Sequence, residues 1–190
     1  MKKYVFLIPF FLSGCATPSP EFSMEPRTFK TIDASRVVIS DFTSDDDPGI
    51  YDTTWSNDYE LIYGEYMKPP FNKLVYGRLS KRYSASGDSQ KPEMDISIIR
   101  ANLLQKSRVA DTIPIVGIFS ALTERGFLCS VDANFRYDDL SVRKTFTSKQ
   151  TLPLPWSDSK LPEKEKLVEE CLGEITAEMD DFIQALTARK

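Results

Sequence analysis

A chain without histidine forgoes every histidine-based mechanism but keeps carboxylate chemistry open. The 190 residues contain no His. That excludes histidine general bases, Ser-His and Cys-His pairs and histidine metal sites. The densest carboxylates are Asp45, Asp46 and Asp47, just beyond Asp41. Two carboxylates at the right separation cleave glycosidic bonds, so a carboxylate-dependent, glycan-acting enzyme is one function class to weigh. Nothing in the sequence sets two of these groups at catalytic separation, and no catalytic residue is assigned. A calcium loop would need alternating ligands and a distal Glu. Thr43 to Gly49 lacks both and reads as a solvated turn. No metal and no cofactor are expected.

The second chemical concentration is aromatic. Tyr51, Trp55, Tyr59, Tyr63 and Tyr66 fall within one short segment, interrupted by Asp52, Asp58, Glu60 and Glu65 and closed by Pro69-Pro70. Tyr and Trp combine apolar area with a polar tip, and they gather at interfaces for that reason. These five are the candidate partner-binding residues. The alternative is that they cover an edge or face of the domain's own sheet.

The N-terminus supplies an address. Lys2 and Lys3 precede an apolar run from Tyr4 to Leu12, which ends in Leu12-Ser13-Gly14-Cys15. The run is under half of the roughly 20 residues a spanning helix needs. It has the charged start, short apolar middle and small-residue end of an export signal. The stretch resembles a bacterial lipoprotein signal peptide with its lipobox. The resemblance implies cleavage before Cys15, lipidation of Cys15 and insertion of its acyl chains in the bilayer. Several acyl chains anchor firmly where one binds only marginally. Ala16 behind the cysteine, instead of Asp, implies sorting to the outer membrane with the domain facing the periplasm. Residues 1–14 are then signal, 15–31 a lipidated tether marked by Pro18, Pro20 and Pro26, and 32–190 one periplasmic domain.

With Cys15 consumed by lipid, Cys129 and Cys171 remain. An oxidising periplasm favours a disulfide between them; two unrelated buried thiols are the alternative. The chain carries 24 basic and 28 acidic side chains, a formal charge of −4. Such a balance gives no general attraction for nucleic acid.

These groups must be positioned by a small set of elements. Arg36 to Phe42 has the β-branched run of a buried central strand. From Phe71 to Tyr83 the period turns helical. Phe71, Leu74, Val75 and Leu79 form the core face, and Lys73, Arg78, Lys81 and Arg82 a solvated back. Met94 to Leu104 alternates, then changes parity, which predicts a bulge near Ile98-Ile99. Ile113 to Leu122 is apolar but broken by Pro114 and Gly117, so it reads as a buried loop or short helix. Phe127 to Tyr137 alternates cleanly, Asp138-Asp139 turns, and Val142 to Ser148 returns as a hairpin. Pro162 opens a long helix with Leu167, Val168, Cys171, Leu172, Ile175, Met179, Phe182, Ile183 and Leu186 on one stripe. Cys129 and Cys171 both fall on core faces, which independently supports their pairing.

The order β-α-β-β-β-α implies an α+β, two-layer sandwich: an antiparallel sheet of about four strands carrying two helices. In layout it resembles several small outer-membrane lipoproteins of envelope assembly or transport, a likeness of topology alone. The leading expectation is a non-catalytic, membrane-tethered accessory or scaffold that binds an envelope protein complex. A periplasmic lipid or small-molecule binder is the second class. It would need a cavity between helix and sheet near Ile113 to Leu122.

Overall fold

The computed structural model describes residues 21–43, 59–61, 67–106, 125–152 and 161–188. In chain order the elements are β1 (Lys30–Ile32), β2 (Val37–Asp41), β3 (Tyr59–Leu61), α1 (Phe71–Arg82), β4 (Tyr83–Ala85), β5 (Met94–Lys106), β6 (Arg125–Tyr137), β7 (Leu140–Leu152) and α2 (Leu161–Thr187). The main series β2-α1-β5-β6-β7-α2 makes the expected two-layer α+β sandwich.

Strict alternation makes β6 the centre of the sheet. Phe127, Cys129, Val131, Ala133, Phe135 and Tyr137 all face the helices and are buried. β5 pairs antiparallel on one side of β6 and β7 on the other. The register of β5 slips where expected: Ile98 opposes Ala133 and Arg100 opposes Asp132, leaving Ile99 as the extra residue. The bulge moves the buried set from Met94, Ile96 and Ile98 to Ala101 and Leu103 without changing the face that meets the core.

The helix layer closes that core. The α2 stripe is buried along its length, with Phe182 partly so. Phe182 makes edge-to-face contacts with Phe135 and Phe146, at centroid distances of 4.9 and 6.0 Å. Full burial of each large aliphatic or aromatic side chain stabilises by about 1.5–3 kcal/mol. The outer face of β6 and β7 is polar by the same alternation, and there Arg143 pairs with Asp132; the exception is Leu128, which is buried beside its partner Leu104.

Three expectations are corrected. First, the sheet is mixed, because β2 lies parallel to β5. The chain crosses from β2 to β5 through α1, and a helical crossover returns the strand in the same direction. Second, among the described residues β2 is an edge strand, with all five of its residues only half-buried; a β-branched run suits an edge packed on one face as well as a centre. Third, the basic side of α1 is not all solvated. Arg78 and Arg82 are buried, at 7% and 6% exposure.

Candidate functional site: the N-terminal strap and the helix pair

Residues 21–32 lie along α1 as a strap, although the sequence reading placed 21–31 in a free tether. The strap is held from one end of the helix to the other. Glu21 bridges Lys68, and the Phe22 N–H donates to the Lys68 carbonyl at 2.8 Å. The Phe22 ring is buried in the core. Met24 then crosses Gly77, where a Cβ would stand 2.8 Å from its sulfur; the missing side chain permits that approach. At the far end β1 pairs in parallel with β4, Lys30 to Tyr83 through Ile32 to Ala85.

The two buried arginines of α1 tie the strap to α2. Arg78 Nε donates to the Ser23 carbonyl at 2.9 Å, and its guanidinium forks onto Glu169 of α2, with Nη1 2.9 Å from Oε2. Glu169 also receives Arg27 from the strap, at 3.1 Å. One turn further on, Arg82 donates Nη1 to the Thr28 carbonyl at 2.8 Å and Nη2 to Asp180 Oδ2 at 2.6 Å. Tyr83 Oη donates to Asp180 Oδ1 at 3.0 Å, and Lys30 approaches the same carboxylate at 3.7 Å. Each acid therefore joins α2, α1 and the strap. A guanidinium fork suits this geometry because its donors lie in one plane. Burial opposes charge on Arg82, but the Asp180 bonds outweigh it and hold the guanidinium above its ordinary pKa. Burial first, and then Asp180, push the Tyr83 phenol upward, so it stays a donor.

A second polar cluster closes the junction of β2 and α1. Asp41 Oδ1 accepts from the Thr43 N–H at 3.0 Å and from its hydroxyl at 2.5 Å. Lys73 Nζ reaches Asp41 Oδ2 at 3.1 Å, and Asn72 Nδ2 donates to Thr43 Oγ1 at 3.2 Å. Burial raises the Asp41 carboxyl, yet the Thr43 and Lys73 bonds prevail and hold it below its ordinary range. A carboxyl held ionised in this way cannot serve as a general acid near neutral pH. The arrangement works as a latch between strand and helix.

Cys129 on β6 and Cys171 on α2 face each other inside the core at disulfide distance, with Cα atoms 6.2 Å apart. Both are fully buried.

No protein-family model and no curated protein matches this chain. Its site must be read from its own residues.

Among the five aromatic candidates, Tyr59 enters β3, where its backbone pairs with Lys106 at the end of β5. Tyr51, Trp55, Tyr63 and Tyr66 lie outside the described residues, as do Cys15, Asp45 to Asp47 and the apolar run Ile113 to Leu122. Among the described residues, no helix is long and apolar enough to cross a membrane. Sequence reasoning missed Arg78, Arg82, Glu169 and Asp180. The signal was present for the arginines, since both continue the three- and four-residue spacing of Phe71, Leu74, Val75 and Leu79.

Proposed function

We propose that this is a lipid-anchored accessory or scaffold protein of the periplasm, held at the outer membrane by Cys15 and non-catalytic, whose folded domain binds an envelope protein complex. The observation that carries this reading is the strap. Cys15 closes the lipobox-like Leu12-Ser13-Gly14-Cys15, and only six positions later, at Glu21, the chain is already fastened to the body. A fully extended segment of that length spans about 20 Å at most. A lipid on Cys15 therefore holds the domain close to the bilayer, where encounters with membrane-bound partners occur at raised effective concentration. The buried pair Cys129 and Cys171 supports an oxidising compartment, in which it forms a disulfide.

The test is Cys15→Ser in the native host. The expected product is a folded domain released from the membrane fraction, with palmitate labelling lost. A variant that stays tightly membrane-bound and is cleaved elsewhere would refute the anchor. Crosslinked capture of envelope proteins by the wild-type lipoprotein, but not by the released domain, tests the scaffold role.

A further inference from the structure

The surface that begins nearest Cys15 is the strap itself. The link from Cys15 to Glu21, where the strap starts, spans about 20 Å at most. From there the strap follows α1, whose 12 residues measure about 18 Å. Among the described residues four large apolar side chains are exposed, and two of them, Met24 and Phe29, stand on the strap. Phe29 is 69% exposed although the backbone on both sides of it is fixed. The Thr28 carbonyl accepts from Arg82, and Lys30 pairs with Tyr83 where β1 meets β4. A held backbone therefore presents the ring to solvent. Charge divides the helix layer in the same sense. α1 contributes Lys73, Arg78, Lys81 and Arg82 and no acid. α2 contributes eight acids and two bases. Two of those acids, Glu169 and Asp180, are bound by Arg78 and Arg82, while Glu174 and Glu178 meet Ser148 and Lys144 of β7, on the far side from α1. Around the strap, exposed Arg27, Lys30, Lys68 and Lys81 outnumber exposed Glu21 and Glu25. The strap side is thus the basic side of a chain whose formal charge is −4.

We infer that the strap is a membrane-contact surface: the domain rests its strap and α1 side on the bilayer, with Phe29 at the headgroup boundary and the acids of α2 turned away. The inference rests on the lipid-anchor reading above and adds a contact surface and an orientation to it. The occupant is the bilayer that holds the Cys15 acyl chains, because the short link from that lipid ends where the strap begins. An aromatic ring followed directly by a lysine is a pairing that settles at a headgroup boundary, and bases within reach of anionic headgroups are drawn to them. Phe29-Lys30 supplies that pair, and Met24, Arg27 and Lys81 extend it along the strap and α1. The separation of charge sets the orientation, since an anionic surface attracts the α1 side and repels α2. The outer face of the sheet, on the other layer, then faces the periplasm.

The test uses the mature lipidated protein in vesicles of phosphatidylethanolamine, phosphatidylglycerol and a phosphatidylcholine brominated close to its glycerol. Two single variants, F29W and T147W, are compared with the wild type, which supplies the background of Trp55 and Trp156. Thr147 is exposed on the outer face of β7, at the opposite edge of the sheet from β2 and on the layer away from the strap. Both positions are exposed, so neither change removes a core contact. Strap-down docking predicts that F29W adds blue-shifted emission that bromine quenches, whereas the emission added by T147W stays water-like and unquenched. It also predicts that F29W quenching falls when unbrominated phosphatidylcholine replaces phosphatidylglycerol at constant bromine. Quenching that ignores this exchange overturns the role given to the bases. An unquenched F29W in protein that co-floats with vesicles overturns the contact and leaves the strap to a protein partner. Equal quenching of F29W and T147W overturns the orientation. Protein that never co-floats refutes the anchor, and the contact falls with it.

Discussion

Reducing the Cys129–Cys171 pair is the sharpest test of how the layers are held. The two residues join the central strand to the long helix across a sequence separation of 42. Loop-closure entropy for that span gives about 4 kcal/mol of stabilisation, acting on the unfolded chain. For a domain of this size each kcal/mol moves Tm by roughly 2–4 °C. Reduction should therefore lower Tm by about 8–16 °C while leaving the native far-UV spectrum intact below the transition. Because both sulfurs are fully buried, a thiol reductant needs an opening of the helix–sheet seam to reach them. The rate of native-state reduction should then follow unfolding, rising with urea and falling with any stabilising change elsewhere. The assay is urea and thermal melting of exported protein, oxidised and reduced, beside Cys129→Ala/Cys171→Ala, with alkylation and mass spectrometry to count thiols. Two thiols that alkylate freely in exported native protein would refute the pairing. A melting shift under about 2 °C on complete reduction would refute the entropic magnitude.

The other outcomes follow from the polar seams. Asp180→Ala removes the carboxylate that buried Arg82 and Tyr83 share, and should cost about 3 kcal/mol or more in urea melts; with Arg82→Met added, the loss should be clearly less than additive, and strict additivity would deny the coupling. Asp41 has a lowered carboxyl pKa in the fold, so its contribution is complete above the unfolded value near 3.9 and is lost as pH falls through the lower folded value. Asp41→Asn should therefore be less stable than wild type at pH 7, with the gap closing below about pH 4; a gap that is constant across that range would contradict the latch. Loss of Cys15, as set out above, should free the folded domain from the membrane fraction.

What the sequence disclosed, and what it hid, has a physical pattern. The β6 alternation and the α2 stripe were legible because burial of one face leaves a periodic record in residue type. The bulge at Ile99 was legible as a change of parity. The arginines of α1 were not: their spacing placed Arg78 and Arg82 on the apolar stripe, but their type suggests solvent, and only acids on a distant helix make such burial tolerable. The strap was hidden for a related reason. Its hold on the body is one buried ring, a three-residue parallel pairing and scattered polar bonds to α1 and α2, none of which imposes a period on residues 21–32. The β-branched run of β2 was read as central because hydrophobic pattern reports a packed face, not the number of neighbouring strands.

The ties across the helix pair also order events in time. The acids that secure Arg78 and Arg82 lie 91 and 98 positions further along the chain, and a chain emerges from its N-terminus. Until Glu169 and Asp180 have appeared, the segment behind Cys15 has nothing on α2 to grip and α1 has two cations without counter-charges. Completion of the last helix is what ties the strap and α1 into the second layer, so Arg78 and Arg82 gain their carboxylates only when the chain is nearly finished.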